Sequence, residues 1–351
     1  MKSLSGHPET SGKISGLDSL RFICALWVML NHLGVGDLGL DKSQPLQWLL
    51  RGIMGSLFNG PAAVIVFFLI SGFCIHIPQV QGQSLHLGSY LIRRFVRILL
   101  PILMIHPVSV LTKVPLTLLS QSILWSVTCE LIYYLLYPFL GGLKARFGWT
   151  RIIGFSFALA FGVLFTRKEL LNYPESDATN WALGLPSWLL GCRLAEINFR
   201  RATALSGKTI WTWRLSMWAL SSLLVVLRFH VPVGYPITLT LFSVVAYFWL
   251  QKELVYFHSH RPPQIFEALG AASFSLYLCH YSGAALPEVL HFPTRFQNMG
   301  ISYLFVALLT GAFYLLVEKP SHSFARSLSR KMGGRTPVPV SAPAAENQEA
   351  A

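Results

Sequence analysis

Charge is what this chain has least of. Asp, Glu, Lys and Arg make up 12% of its 351 residues, where soluble domains carry roughly a quarter. With 53% hydrophobic and 13% aromatic residues and a mean hydropathy of +0.51, the composition excludes an ordinary soluble domain and fits a chain that crosses a bilayer several times. Cysteine is sparse as well. Cys24, Cys74, Cys129, Cys192 and Cys279 each fall inside an apolar run, with no CxxC and no His/Cys spacing of a zinc site. They are read as packing residues, so neither a disulfide nor a bound metal is expected. No removable leader is expected either, because residues 1–15 are polar and the apolar run behind them has no small-residue cleavage site. Nor is any internal repeat visible.

What is abundant is apolar sequence in blocks. About ten stretches approach the length of a bilayer span, at 17–36, 61–77, 95–112, 121–140, 152–166, 181–197, 213–229, 236–251, 266–286 and 301–318. The third holds Pro101 and Pro107, with Pro115 soon after, and is expected to kink or break. The tail from Gly333 onward is rich in Pro and Ala and is expected to be disordered. One membrane domain over 1–332 and a short tail over 333–351 is the expected organisation.

The formal charge of +13 first suggests nucleic acid, but its placement gives another cause. With the N-terminus on the cytoplasmic side, 21 of the 28 Lys and Arg residues fall on inner segments and 7 on outer ones. By the positive-inside rule both termini are then cytoplasmic, which an even number of spans also requires. Basicity here is topology, and no nucleic acid is expected. The predicted fold is all-α, a polytopic helix bundle of about ten transmembrane helices.

Within this frame a few polar residues stand out. Arg21 and His32 in the first span are eleven residues apart, which is ~20° past three full turns and a rise of about 16 Å. They share a face, with Arg21 near the inner surface and His32 near mid-depth, where an ionisable group is costly and is read as functional. The plainer alternative is an arginine that snorkels and a histidine bonded inside the bundle. Glu130 in the fourth span and His280 in the ninth are expected at a similar level, about 12 Å below the outer surface and about 21 Å above the inner one. A histidine with a carboxylate partner is the usual proton-transfer unit. At the inner face Arg93, Arg94 and Arg97 form an RRxxR run, and with Arg21 their guanidinium forks suit a phosphate. Ordinary positive-inside flanking is the other reading of that run. Glu318 is placed as their counter-charge, and Ser71-Gly72 in the second span permits a close helix approach or a local break.

Taken together these stretches resemble the acyltransferase 3 family of integral-membrane acyltransferases. The resemblance rests on Gly16-Leu-Asp-Ser-Leu-Arg21 with His32, Phe67-Phe-Leu-Ile-Ser-Gly-Phe73, Arg93-Arg-Phe-Val-Arg97-Ile-Leu-Leu-Pro101, Trp125-Ser-x3-Glu130, Leu276-Tyr-Leu-x-His280 and Glu318-Lys-Pro320, in order along nearly the whole chain. It implies an enzyme of the inner, or plasma, membrane that takes an acyl group, usually acetyl, from cytoplasmic acyl-CoA. The acceptor implied is a hydroxyl of a carbohydrate such as a lipopolysaccharide, exopolysaccharide or glycolipid. The family's Arg-x10-His and RxxR motifs map onto Arg21, His32, Arg94 and Arg97. Three departures are visible: a shortened segment between Pro101 and Trp125, Leu131-Ile132 where a second acid or glutamine is common, and no soluble esterase-like domain behind the last span. One protein is then expected to carry out the whole transfer or to rely on an envelope-assembly partner.

Residue chemistry and resemblance lead to one expected mechanism. The CoA nucleotide lies against Arg21, Arg94 and Arg97, its pantetheine arm rises along the bundle, and His32 acts as general base with Glu130 or His280 in support. An acyl-His intermediate is left open. A secondary transporter or flippase for an anionic or glycan solute is the alternative class. Transporters would be expected to show the repeat symmetry that is missing here.

Overall fold

The computed structural model describes residues 14–34, 52–116, 118, 122–168, 170, 178–197, 203–231, 233–293 and 299–332. Among them every regular element is helical. Helix α1 spans Leu17–Leu33, α2 Gly60–Val80, α3 Leu87–Leu111, α4 Trp125–Thr166, α5 Asn180–Ala195, α6 Gly207–His230 and α7 Tyr235–Ser259. A short α8, Gln264–Gly270, leads into α9, Ser273–Val289, and α10, Met299–Phe313, passes through a π-turn at Tyr314–Glu318 into α11, Lys319–Lys331. Among the described residues five stretches are long and apolar enough to cross a membrane: Gly52–Val80, Leu87–Leu111, Trp125–Thr166, Gly207–Arg228 and Met299–Lys331. The fold is thus all-α and multi-span in character. The predicted tail over 333–351 lies outside the described residues.

Helix α4 joins two of the apolar stretches, yet it is not one rod. Gly148 has φ 73° and ψ 164°, a conformation that a glycine adopts without strain. Before it, the Tyr133 hydroxyl donates to the Trp181 carbonyl at the start of α5 (2.7 Å), and Lys144 reaches Glu196 just past the end of α5. After it, Trp149 Nε1 donates to that same Glu196 (2.7 Å), while Ala160 and Leu164 pack with Leu183 back at the start of α5. In a straight helix Tyr133 and Leu164 would lie ~46 Å apart. Both sit against the first turn of α5, so the chain reverses at Gly148.

Two expectations change. The third stretch does not break: α3 starts at Leu87 and stays helical through Pro101 and Pro107. Each proline removes one donor, a loss that neighbouring helices in a bundle can make good. The ninth stretch, in contrast, is divided at Ala271-Ala272 into α8 and α9. His280 is therefore about 10 Å along α9 from its first residue, because that helix begins later than the apolar run.

Helices α2 and α5 approach with their backbones nearly touching. A Cβ on Gly72 would overlap the Trp188 carbonyl, and one on Gly191 would overlap the Leu69 carbonyl. Without a driving force from water, packing of this kind is what holds helices together in lipid. Of the two expectations for Ser71-Gly72, close approach holds and a local break does not, since α2 is continuous there. This contact, and the aromatic group of Tyr133, Tyr137 and Trp188 beside it, fixes the wall that carries Ser71.

Candidate active site

Helices α1, α2, α3, α4, α9 and α11 enclose a cavity of about 520 Å³. It gathers Arg21, Ser71, Arg94, Arg97, Glu130 and Glu318 from five separate parts of the chain. Arg21 Nη1 donates to Asp18 Oδ1 (2.9 Å) and Nη2 to Cys74 Sγ (3.2 Å), so part of its fork is already engaged. Arg94 lies beside the rings of Tyr90 and Tyr134, 6.0 and 5.8 Å from their centroids. Its Nε is buried with no hydrogen-bond partner. Among the described residues no carboxylate forms an ion pair with Arg94 or Arg97. Two guanidinium groups facing one cavity with no neutralising acid attached make a site for an anion, because each retains donors in a fixed planar fork. Arg93 is different: it does not line the cavity.

The acids have other duties than those expected. Glu130 Oε1 accepts from the Ser71 hydroxyl and from the Tyr134 hydroxyl, both at 2.5 Å. Neither histidine is among its partners. Glu318, only 2% exposed, forms no direct ion pair with the arginine run, although its charge reaches Arg97. Its Oε2 accepts from the Ser275 amide (2.9 Å) and hydroxyl (2.5 Å) in the first turn of α9. Glu267 of α8 does the same for α1, accepting from the Ser19 amide (3.0 Å) and hydroxyl (2.7 Å). A carboxylate at the positive end of a helix both satisfies open amides and opposes the dipole. The two helices that carry the histidines are thus each anchored at their N-terminal ends by an acid from another element.

His32 and His280 do meet. Nδ1 of His32 is 2.9 Å from Nε2 of His280, and the rings stack with centroids 5.1 Å apart. Nδ1 of His280 lies 2.8 Å from the Tyr277 carbonyl. A carbonyl can only accept, so this nitrogen carries the proton. In the neutral ring Nε2 is then the acceptor, His32 Nδ1 is the donor to it, and the lone pair of His32 falls on its own Nε2. That is the tautomer a general base needs. His280 is fully buried, and Tyr281 flanks the His32 ring at 5.1 Å on centroids. The pair lies outside the lining of the cavity, but Tyr277, one turn before His280, belongs to that lining and bonds Ser126 across it (hydroxyl oxygens 2.8 Å apart).

The predicted site therefore divides into an arginine-lined chamber with Glu130 and a separate histidine pair. Sequence reasoning missed Asp18, Tyr134, Lys319, His322 and Arg326, all in the cavity lining. Asp18 and Tyr134 had a usable signal, since they stand three and four residues from Arg21 and Glu130 and so share a helix face with them. The last three follow the final apolar stretch and read as ordinary flanking charge.

These features define a multi-span helical membrane protein with a cationic internal chamber and a bonded histidine pair next to it. Residues 14–317 match the family model described as an acyltransferase domain, that of the acyltransferase 3 family, and the chain belongs to this family. It is accordingly a transferase acting on acyl groups, with an acyl donor and an acceptor. Comparison with curated proteins and with solved structures gives no match.

Proposed function

We propose that this enzyme transfers an acyl group, acetyl in the simplest case, from cytoplasmic acyl-CoA to a hydroxyl of a lipopolysaccharide, exopolysaccharide or glycolipid, and that it works in the inner (plasma) membrane. The observation that carries this reading is the chamber with Arg94 and Arg97 facing it and no carboxylate paired to either. An anionic nucleotide thioester is a donor with the right charge. Its diphosphate binds Arg94 and Arg97, with Arg21 held beside them by Asp18. The pantetheine arm extends past Ser71, Tyr134 and Glu130 toward Tyr277. A rise of about 16 Å separates Arg21 from His32 along α1, a gap that an extended arm of this kind spans.

At the far end His32 Nε2 removes the proton of the acceptor hydroxyl as its oxygen attacks the thioester carbonyl. The tetrahedral centre collapses with cleavage of the C–S bond, and the imidazolium returns the proton to the departing thiolate. His280 accepts the hydrogen bond from His32 Nδ1 throughout, so it holds the tautomer and steadies the positive ring, as the third member of a hydrolase triad does. Glu130 acts at one remove: it orients the Ser71 and Tyr134 hydroxyls along the path of the arm.

Membranes containing the protein, incubated with acetyl-CoA labelled in the acetyl group, are expected to place label in surface carbohydrate by an ester that mild base releases. Label that stays in free acetate, or is absent from carbohydrate while the protein is present, overturns the acceptor assignment.

The proposed topology is ten crossings with both termini cytoplasmic. It draws support from the 21-to-7 division of Lys and Arg and from the reversal at Gly148, which makes two passes of one long element. Reporter fusions after Arg51, Arg146, Arg228 and Ala351 should read outside, inside, outside and inside. A C-terminal fusion accessible from outside would invert the donor side and remove the basis for a cytoplasmic thioester.

A further inference from the structure

The chamber has a second cationic wall, and it lies beyond the family match. That match ends at residue 317, whereas Lys319, His322 and Arg326 of α11 come after it and all line the cavity. At i, i+3 and i+7 they occupy one face of the helix, within about 60° of one another. The rotation of α11 is fixed by the adjoining face, about 90° round the helix. Ser321, Ala325 and Ser329 are buried, and Ser329 Oγ is 2.7 Å from Ser89 Oγ of α3, so the basic face is turned to the chamber. His322 is within electrostatic reach of Arg97 and Arg21 as well as of Arg326. Its Nε2 is buried without a hydrogen-bond partner, 3.7 Å from Glu318 Oε1.

A diphosphate is served by one cluster of guanidinium groups. A second cluster on a different helix, joined to the first through a single cavity, calls for a second and separate anion on the same ligand. We propose that Lys319, His322 and Arg326 form a subsite for the 3′-phosphate of the coenzyme A ribose, while Arg94 and Arg97 hold the 5′-diphosphate. This rests on acyl-CoA being the donor and makes that donor specific. An acyl-phosphopantetheine carried by a protein has neither the ribose nor its phosphate, so α11 selects the free coenzyme against it.

Calorimetric titration of the full-length protein in nanodiscs with CoA and with 3′-dephospho-CoA tests the proposal. The unaltered protein is expected to bind CoA about tenfold more tightly, the effect of a charge-assisted contact. Arg326→Ala, and Arg326→Gln with more of the side-chain stem retained, should weaken CoA by about that factor and leave dephospho-CoA unchanged. Equal affinity of the unaltered protein for both ligands, or equal weakening of both in the variants, overturns the subsite and leaves CoA as donor. A protein that acylates its acceptor yet binds neither ligand overturns the donor reading, and the subsite falls with it.

Discussion

Replacement of His32 by alanine is expected to lower kcat and kcat/KM together by roughly 10²–10⁴-fold, the usual worth of a positioned acid–base group, with KM for acyl-CoA nearly unchanged. The split follows from geometry. His32 is in the histidine pair and outside the lining of the chamber that is assigned to the nucleotide, so its loss removes an interaction made in the transition state and not in donor binding. His280→Ala should show the same signature with a smaller drop, because it leaves the base in place and removes only the partner on Nδ1. A His32→Ala enzyme that keeps near-normal kcat, or loses only affinity for the donor, would move the catalytic assignment to His280. Steady-state rates across a range of acyl-CoA concentrations, normalised to extracted protein, distinguish these cases.

Arg97→Ala is expected to do the opposite, raising KM for acyl-CoA by about 10- to 100-fold, as for one lost hydrogen-bonded charge contact, while kcat at saturation changes little. Arg97→Lys should recover only part of the affinity, because an ammonium is a point charge and cannot reproduce a two-pronged contact with phosphate. Arg93→Ala makes the matching comparison. It removes a charge of the same sign from the same run of sequence, but Arg93 lies outside the chamber lining, so KM should stay close to that of the unaltered enzyme. If Arg93→Ala and Arg97→Ala raise KM equally, the run acts as a diffuse surface charge and the fork geometry is irrelevant.

Much of this was legible in the residues. Arg21 and His32 could be set on one face because an uninterrupted apolar run allows simple helix arithmetic, and α1 is continuous from Leu17–Leu33. The RxxR spacing picked out Arg94 and Arg97 correctly as a pair facing one way, and their neighbour Arg93 was included only because charge alone does not reveal a helix face in contact with others. Glu130 was assigned to the histidines on depth, but a shared level does not name a partner: its carboxylate is taken by the Ser71 and Tyr134 hydroxyls, and the division of the ninth stretch at Ala271-Ala272 has no proline to announce it. The capping roles of Glu267 and Glu318 depend on contacts 248 and 43 residues apart in the chain, and no local pattern encodes those. Nor could it show that His280 would present Nε2, since that follows from a carbonyl one turn away.

The π-turn at Tyr314–Glu318 also changes how positions are counted along the last long helix. A turn of this type holds one residue more than α geometry needs, and it precedes Pro320, whose ring would otherwise press on the carbonyl four residues back. Phase carried by simple periodicity from α10 into α11 consequently comes out about 100° in error. Lys319, His322 and Arg326 then seem to point to a side of the bundle they do not face. The same surplus sets the rule for any chimera of this segment. A tail grafted on through plain α-helix must be joined one residue shorter to turn the same face inward, and one joined at equal length turns its charges away from the ligand.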